Sequence, residues 1–229
     1  MSEITNSLYS SKVKLIAVTQ PRWLGEKLDA DYTSAQDLIS YCARVSNPKN
    51  QDNFDTAPKL LKYMVDNKHW SPFEMVNVVM EIETTRDIGR QILRHRSFSF
   101  QEFSQRYATV QDYQYSEARL HDTKNRQNSI ETDDKHIEGA WAILQAGVIE
   151  QADIAYHKAL DLGIAKEVAR KVLPEGLTPT RMYMNGTLRS WIHYCQLRMG
   201  NGTQKEHQEI AKQCWDILKK EFDFLSGLK

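Results

Sequence analysis

At 229 residues the chain is long enough to bury a substantial core as one domain, and no Gly/Ser/Pro-rich linker or long charge run divides it. Its 30 Lys and Arg balance 30 Asp and Glu, so no global field recruits nucleic acid or an anionic membrane, and any attraction for phosphate must be local. No apolar run approaches the ~20 residues that span a bilayer, and the opening "MSEITNSLYSSKVKLIAV" carries no secretory signal pattern, which leads us to expect a soluble, intracellular, cytoplasmic protein.

In chain order, "KVKLIAVTQ" (12–20) has a β-like composition. Helices are expected in "TSAQDLISYCARV", capped by Thr33 or Ser34 with Leu38, Ile39 and Cys42 inward, and in "DTAPKLLKYMVDNKH", where Pro58 falls in the first turn and forfeits no hydrogen bond. "MVNVVMEIETT" (75–85) alternates around Val76, Val78, Met80 and Ile82 as a half-buried strand does. "TRDIGRQILRHR" (85–96) predicts a helix with Ile88 and Ile92 inward and with Arg86, Arg90 and Arg94 along one face at i, i+4, i+8. Like charges so placed repel unless anions or carboxylates answer them. Residues 108–134 are polar and poorly periodic, and a variable excursion is expected there. A long helix over 135–162 follows, with an apolar stripe of Trp141, Leu144, Val148, Ala152, Ala155 and Ala159, closed by Gly163. Then come a short helix ("AKEVARKVLPEG"), a strand ("TPTRMYM"), a helix ("TLRSWIHYCQLRM") and a final amphipathic helix ("QKEHQEIAKQCWDILKKEFDFL"). The mixture reads as α+β in a single domain over 1–229.

Few familiar chemistries fit these residues. His69, His95, His193 and His207 show no HExxH-type pairing, and no carboxylate cluster stands at ligand spacing, so no metal site is assigned. Both glycine-rich phosphate loops are absent, which leaves side chains to hold any phosphate. No serine occupies a G-x-S-x-G turn. Cys42, Cys195 and Cys214 are an odd number in helix-like contexts and read as reduced, small apolar residues; Cys195 in "HYCQLR" would need a lowered pKa to serve as a nucleophile. Arginine remains. Arg90, Arg94, Arg96, Arg106, Arg170, Arg181, Arg189 and Arg198 recur in segments that otherwise carry the core. Their fixed donors match phosphate and carboxylate, and their planes stack on rings. "RHRSFSFQEFSQRY" (94–107) concentrates this chemistry, as a pocket for an anionic aromatic ligand or, alternatively, as a single-stranded RNA-binding surface that stacks bases on Phe98, Phe100, Phe103 or Tyr107.

Arg-His-Arg, seven residues and then Ser104 resembles the signature of flavin-dependent thymidylate synthases, and it continues into "QRY". "ARVS" (43–46), "HWSPFE" (69–74), "RQILRHR" (90–96), "VARKVLP" (168–174) and "TLRSWIHYCQLR" (187–198) are similar to further blocks of that family, in order, and cover about 40–210. The resemblance implies an antiparallel sheet packed with helices and a homotetramer with shared active sites. It implies a flavoprotein methyltransferase of dTMP biosynthesis, which converts dUMP to dTMP with FAD as cofactor and methylenetetrahydrofolate and NADPH as co-substrates. No enzyme cysteine acts as nucleophile in such a scheme.

Carried over by position, Ser71, Arg94, His95, Arg96, Glu102, Thr187, Leu188, Arg189 and His193 resemble flavin-binding residues. Gln91, Ile92, Leu93, Arg94, Glu102, Phe103, Ser104, Gln105, Arg106, Arg170 and Arg198 resemble the dUMP site. Arg198, with Ser104, is the expected catalytic group: a guanidinium beside the uracil ring stabilises charge across N3 and O4 and makes C5 more nucleophilic. This sequence has Gln101 where asparagine is frequent, Ser71 where threonine is common, and Thr187 and His193 where some members carry asparagine. Phe98, Phe100 and Phe103 become packing residues in this reading.

Overall fold

A computed structural model describes residues 5–22, 34–110 and 112–227; Thr33, one of the two expected helix caps, lies outside them. The core is organised by one antiparallel sheet of four strands in the order β2 (Lys12–Val18), β3 (Asn77–Thr85), β8 (Pro179–Thr187), β4 (Phe98–Glu102). β3 and β8 pair along their full length, from Asn77 with Thr187 to Thr85 with Pro179. Strand residues alternate between faces, and Val78, Met80, Ile82, Met182 and Met184 all point to one face and are fully buried.

Four helices cover that face. α1 (Ala35–Ala43) starts from a capping box, in which Asp37 N donates to Ser34 Oγ and Ser34 N donates to Asp37 Oδ2. α2 (Ala57–Asp66) buries Leu61 and Met64. α6 (Leu188–Arg198) brings Trp191, Ile192 and Cys195, and α7 (Lys205–Glu221) brings Ile210, Cys214 and Leu218, into one cluster with the sheet. Each such side chain contributes roughly 1.5–3 kcal/mol by leaving water. Close approach is tight at Gly186, where a Cβ would lie 2.4 Å from the Phe98 ring, so glycine is what lets β4 join β8.

The expected helix over 85–96 is shorter than its pattern. α3 (Arg86–Ile92) ends in tight turns, and Phe98 then begins β4, "FSFQE", within the stretch 94–107 for which no strand was expected. Arg86 and Arg90 therefore share α3, whereas Arg94 falls beyond it. The polar excursion is also partly ordered: β5 (Asp112–Tyr115) pairs in parallel with β1 (Thr5–Leu8), and β6 (Arg119–His121) forms a hairpin with β7 (Ser129–Glu131).

The long helix α4 (Lys135–Asp161) is present, and Gly163 closes it at φ 78°. Its inner face differs from the expected stripe: Gln145, Ile149, Ala152 and Tyr156 are buried, while Leu144, Val148 and Ala155 are exposed. Ile149 and Tyr156 pack with Val110, Tyr113, Ala169 and Leu173 in a second, smaller core, which α5 (Lys166–Ala169) completes. No helix of the described residues is long and apolar enough to cross a membrane.

Candidate active site

Helix α6 organises the expected residues into groups at its two ends. Arg189 and Arg198 lie nine residues apart, roughly 14 Å along the axis. At the N-terminal end, Thr187 caps the helix: its hydroxyl accepts from Ser190 N at 3.2 Å and lies 3.1 Å from Ser190 Oγ. Leu188 is fully buried, so its side chain belongs to the core. Arg189 pairs with Glu74, and His193 meets the edge of Trp70 with ring centroids 4.7 Å apart. Glu74 belongs to the short turn Ser71–Met75 that begins at Ser71. Ser71, Thr187, Arg189 and His193 are thus one neighbourhood. Burial and then the Arg189 charge lower the His193 pKa, which favours a neutral ring there.

At the other end, Arg198 Nε donates to His95 Nε2 at 2.9 Å. That bond requires an unprotonated Nε2, and burial with the neighbouring Arg198 charge holds the His95 pKa down to about 4. The imidazole is further fixed by the edge of Tyr194, 4.9 Å away between centroids. Arg94 and Arg96, on either side of His95, are exposed cations. Ile92 is fully buried in the core, with its carbonyl accepting from His95 N at 3.1 Å, and Leu93 packs against that core.

Glu102 ends β4 and is held from two directions. Thr180 Oγ1 donates to its Oε1 at 2.9 Å, and Arg86 Nη1 stands 3.6 Å from the same oxygen. The pair is largely buried; burial lowers the Arg86 pKa and Glu102 opposes that shift. The chain then turns at Ser104, whose Oγ accepts from Arg106 N at 3.3 Å. Arg106 reaches Glu167 at 3.5 Å with both side chains half exposed.

Beside this turn lies a cavity of about 340 Å³ walled by Arg86, Arg90, Gln105, Arg170, Lys171 and Glu175. Glu175 answers Arg90 at 3.2 Å. Gln105 is only 3% exposed, yet its Nε2 has no hydrogen-bond partner. A buried donor left unpaired costs about 1–3 kcal/mol. Sequence reading placed Gln105 and Arg170 in the dUMP site but assigned no role to Arg86, whose signal was its place one helical turn before Arg90.

The aromatic residues separate clearly. Phe98 is 9% exposed and packs edge-on against Trp191, and Phe100 packs against the same core. Phe98 therefore offers no face for stacking bases, Phe100 is partly buried, and Tyr107, also named in the RNA-binding alternative, is 80% exposed. Phe103 departs from the packing role expected of it, with 37% of its surface exposed. Burial raises the Cys195 thiol pKa well above its ordinary value, so Cys195 is a core residue and not a nucleophile.

An antiparallel sheet backed by helices, with a cavity walled by Arg86, Arg90, Arg170, Lys171 and Glu175 beside it, defines an α+β fold. The same fold occurs in the crystal structure of a UMP/dUMP methylase, PolB, from Streptomyces cacaoi bound with 5-Br dUMP; it superposes with a TM-score of 0.80 at 24% identity, over 96% of this chain and 94% of that one. The model of the Thy1 family, thymidylate synthase complementing protein, matches residues 30–222. A probable flavin-dependent thymidylate synthase of Paramecium bursaria Chlorella virus 1 is 50% identical over 210 residues, 91% of this chain and 94% of the relative. A flavin-dependent thymidylate synthase of Synechocystis sp. PCC 6803 is 49% identical over 210 residues, 92% and 95% of the two chains. This chain belongs to the flavin-dependent thymidylate synthase family.

Proposed function

We propose that this chain is a flavin-dependent thymidylate synthase that methylates dUMP to dTMP. The observation that carries the reading is Gln105: a buried, unpaired amide donor in a cavity walled by Arg86, Arg90, Arg170 and Lys171, which a nucleotide 5′-phosphate would satisfy. The whole chain acts as one catalytic domain.

The residues present suit the cofactor as well as the substrate. Ser71, Arg189 and His193, gathered at the N-terminal end of α6, together with the exposed Arg94 and Arg96, offer a hydroxyl, cations and a neutral imidazole to a phosphate-bearing ring system. When bound, FAD supplies the redox chemistry that turns a methylene from methylenetetrahydrofolate into a methyl group, with NADPH as the electron source. The protein contributes position and electrostatics. Arg198, aimed by its bond to His95, sets a fixed cation beside the pyrimidine and stabilises the negative charge that accumulates as C5 becomes nucleophilic. Because His95 accepts through Nε2, that aim holds wherever the ring is neutral, above about pH 4. Glu102, kept in place by Thr180 and Arg86, and Ser104, at the turn, orient the nucleotide.

The two ends of α6 are brought together between chains of a homotetramer in the cytoplasm. Support comes from the outer face of α4, where Ile143, Leu144 and Val148 are 73%, 63% and 52% exposed, an apolar band that a partner would cover. Purified protein should be yellow and, given dUMP, methylenetetrahydrofolate, NADPH and added FAD, should form dTMP by chromatographic assay. Colourless protein that gains no flavin absorbance on titration with FAD would overturn the proposal.

A further inference from the structure

Gln91, next to last in α3, has its side-chain amide gripped on both sides. Its Nε2 donates to Gln204 Oε1 at 2.8 Å, and its Oε1 lies 3.3 Å from His207 Nδ1. His207 is fully buried on α7, and its Nε2 lies 3.1 Å from the hydroxyl of Tyr194, which is 2% exposed on α6. With the Gln91 oxygen facing it, His207 carries its proton on Nδ1 and uses Nε2 to accept from Tyr194; the opposite tautomer goes with a Gln91 and a Gln204 amide turned over together. Burial, with the charges of Arg198 and His95, holds the His207 pKa to about 3, in keeping with that neutral tautomer.

The direction of this chain matters for Gln91. Rotated by half a turn while His207 and Gln204 keep their orientation, its amide would set an N–H against the Nδ1–H of His207 and an oxygen against Gln204 Oε1, two mismatches in a part-buried setting. In the observed orientation one N–H and one lone pair of the amide remain free. We propose that His207 is a positioning residue for the nucleotide: by dictating which edge of the Gln91 amide is nitrogen and which is oxygen, it fixes the donor and acceptor that the end of α3 offers to the ligand. The inference rests on the nucleotide site described above, in which Gln91 is a contact. His207 acts through Gln91 and touches neither substrate nor cofactor.

The test uses the flavin-loaded protein and two readouts, equilibrium binding of dUMP by calorimetry and the split between KM and kcat. Asparagine places its amide nitrogen where Nδ1 stands, and glutamine places its own where Nε2 stands. His207→Asn therefore retains the bond to Gln91, whereas His207→Gln and His207→Leu lose it. The expected result is a dUMP Kd and KM close to wild type for the asparagine variant and raised roughly three- to tenfold for the other two, with kcat and flavin content little changed. Tyr194→Phe, which preserves the packing if the His207 variants fail to fold, should raise both by a smaller factor. Equal dUMP affinity across wild type, His207→Gln and Tyr194→Phe would overturn the role assigned to His207. A wild-type protein that binds no dUMP would overturn the nucleotide site itself, and this inference with it.

Discussion

Around α6 the polar groups answer one another inside the chain: Arg198 binds His95, Arg189 binds Glu74, and Gln91, His207 and Tyr194 form a closed network. Along α4 the pattern is the reverse. Ile143, Leu144 and Val148 face outward, and the ion pairs at its borders, such as Arg106 with Glu167, are half exposed. The first region closes its polar contacts among its own residues, even where, as in the Arg189–Glu74 pair, the side chains are 41% and 43% exposed; the second leaves apolar surface bare, as an incomplete interface does. The arginine-walled cavity lies on the seam. Arg86 and Arg90 come from α3 on the closed side, Arg170, Lys171 and Glu175 from the segment after α4, and Gln105 from the turn between them.

The sharpest way to break this contrast is at Arg198. Arg198→Ala should lower dTMP formation about a hundredfold or more, as loss of a preorganised charge does elsewhere, while flavin absorbance is retained; normal turnover would show that the closed region is scaffold only. On the seam, Arg170→Ala should raise the KM for dUMP by roughly ten- to a hundredfold, the range of a charge-assisted hydrogen bond, with a much smaller change in kcat. An unaltered KM would mean that the cavity serves another anion.

The open region is tested by Leu144→Glu. A carboxylate in a band covered by partners should reduce the sedimentation mass at micromolar concentration and leave the helix content unchanged. A mass equal to one chain before any substitution would mean the band stays bare.

Acid should distinguish the regions more gently. His95 and His207 have pKa values lowered from 6.5 to about 4 and about 3. Between pH 6.5 and 4 the unfolded chain binds protons that the folded one refuses, so stability rises with pH across that window and is lost as pH falls through it. The melting temperature should therefore decline from pH 7 to 4.5, and His207→Asn should flatten the decline. An identical slope in that variant would show that the acid loss originates elsewhere.

Several elements of both regions were legible because they follow local periods. β3 alternates cleanly, Ser34 was one of the two residues expected to cap α1, and Gly163 ends α4 at the positive φ that glycine tolerates. The site blocks were readable for a different reason: arginine, histidine and serine at set spacings resemble one family's motif. β4 was legible in principle from "FSFQE", but five residues beside a helix period are easily absorbed into its neighbour. The open region misled because an apolar stripe announces burial without naming what buries it, and Leu144 and Val148 fit a helical face that this chain does not itself cover.

By itself, the sequence determined the α+β mixture, the caps, the absence of glycine phosphate loops and the arginine-rich motif, since each depends on neighbours within a few residues or on recurring residue types. Only the tertiary structure decided which partners those residues take. Glu102 meets Thr180 and Arg86 because β4 pairs with β8 and α3 packs beside them, and Gln91 meets His207 because α7 returns more than a hundred residues later. Such contacts follow from strand order and helix packing, which no local period records, and they set the orientation of the groups on which the proposed chemistry depends.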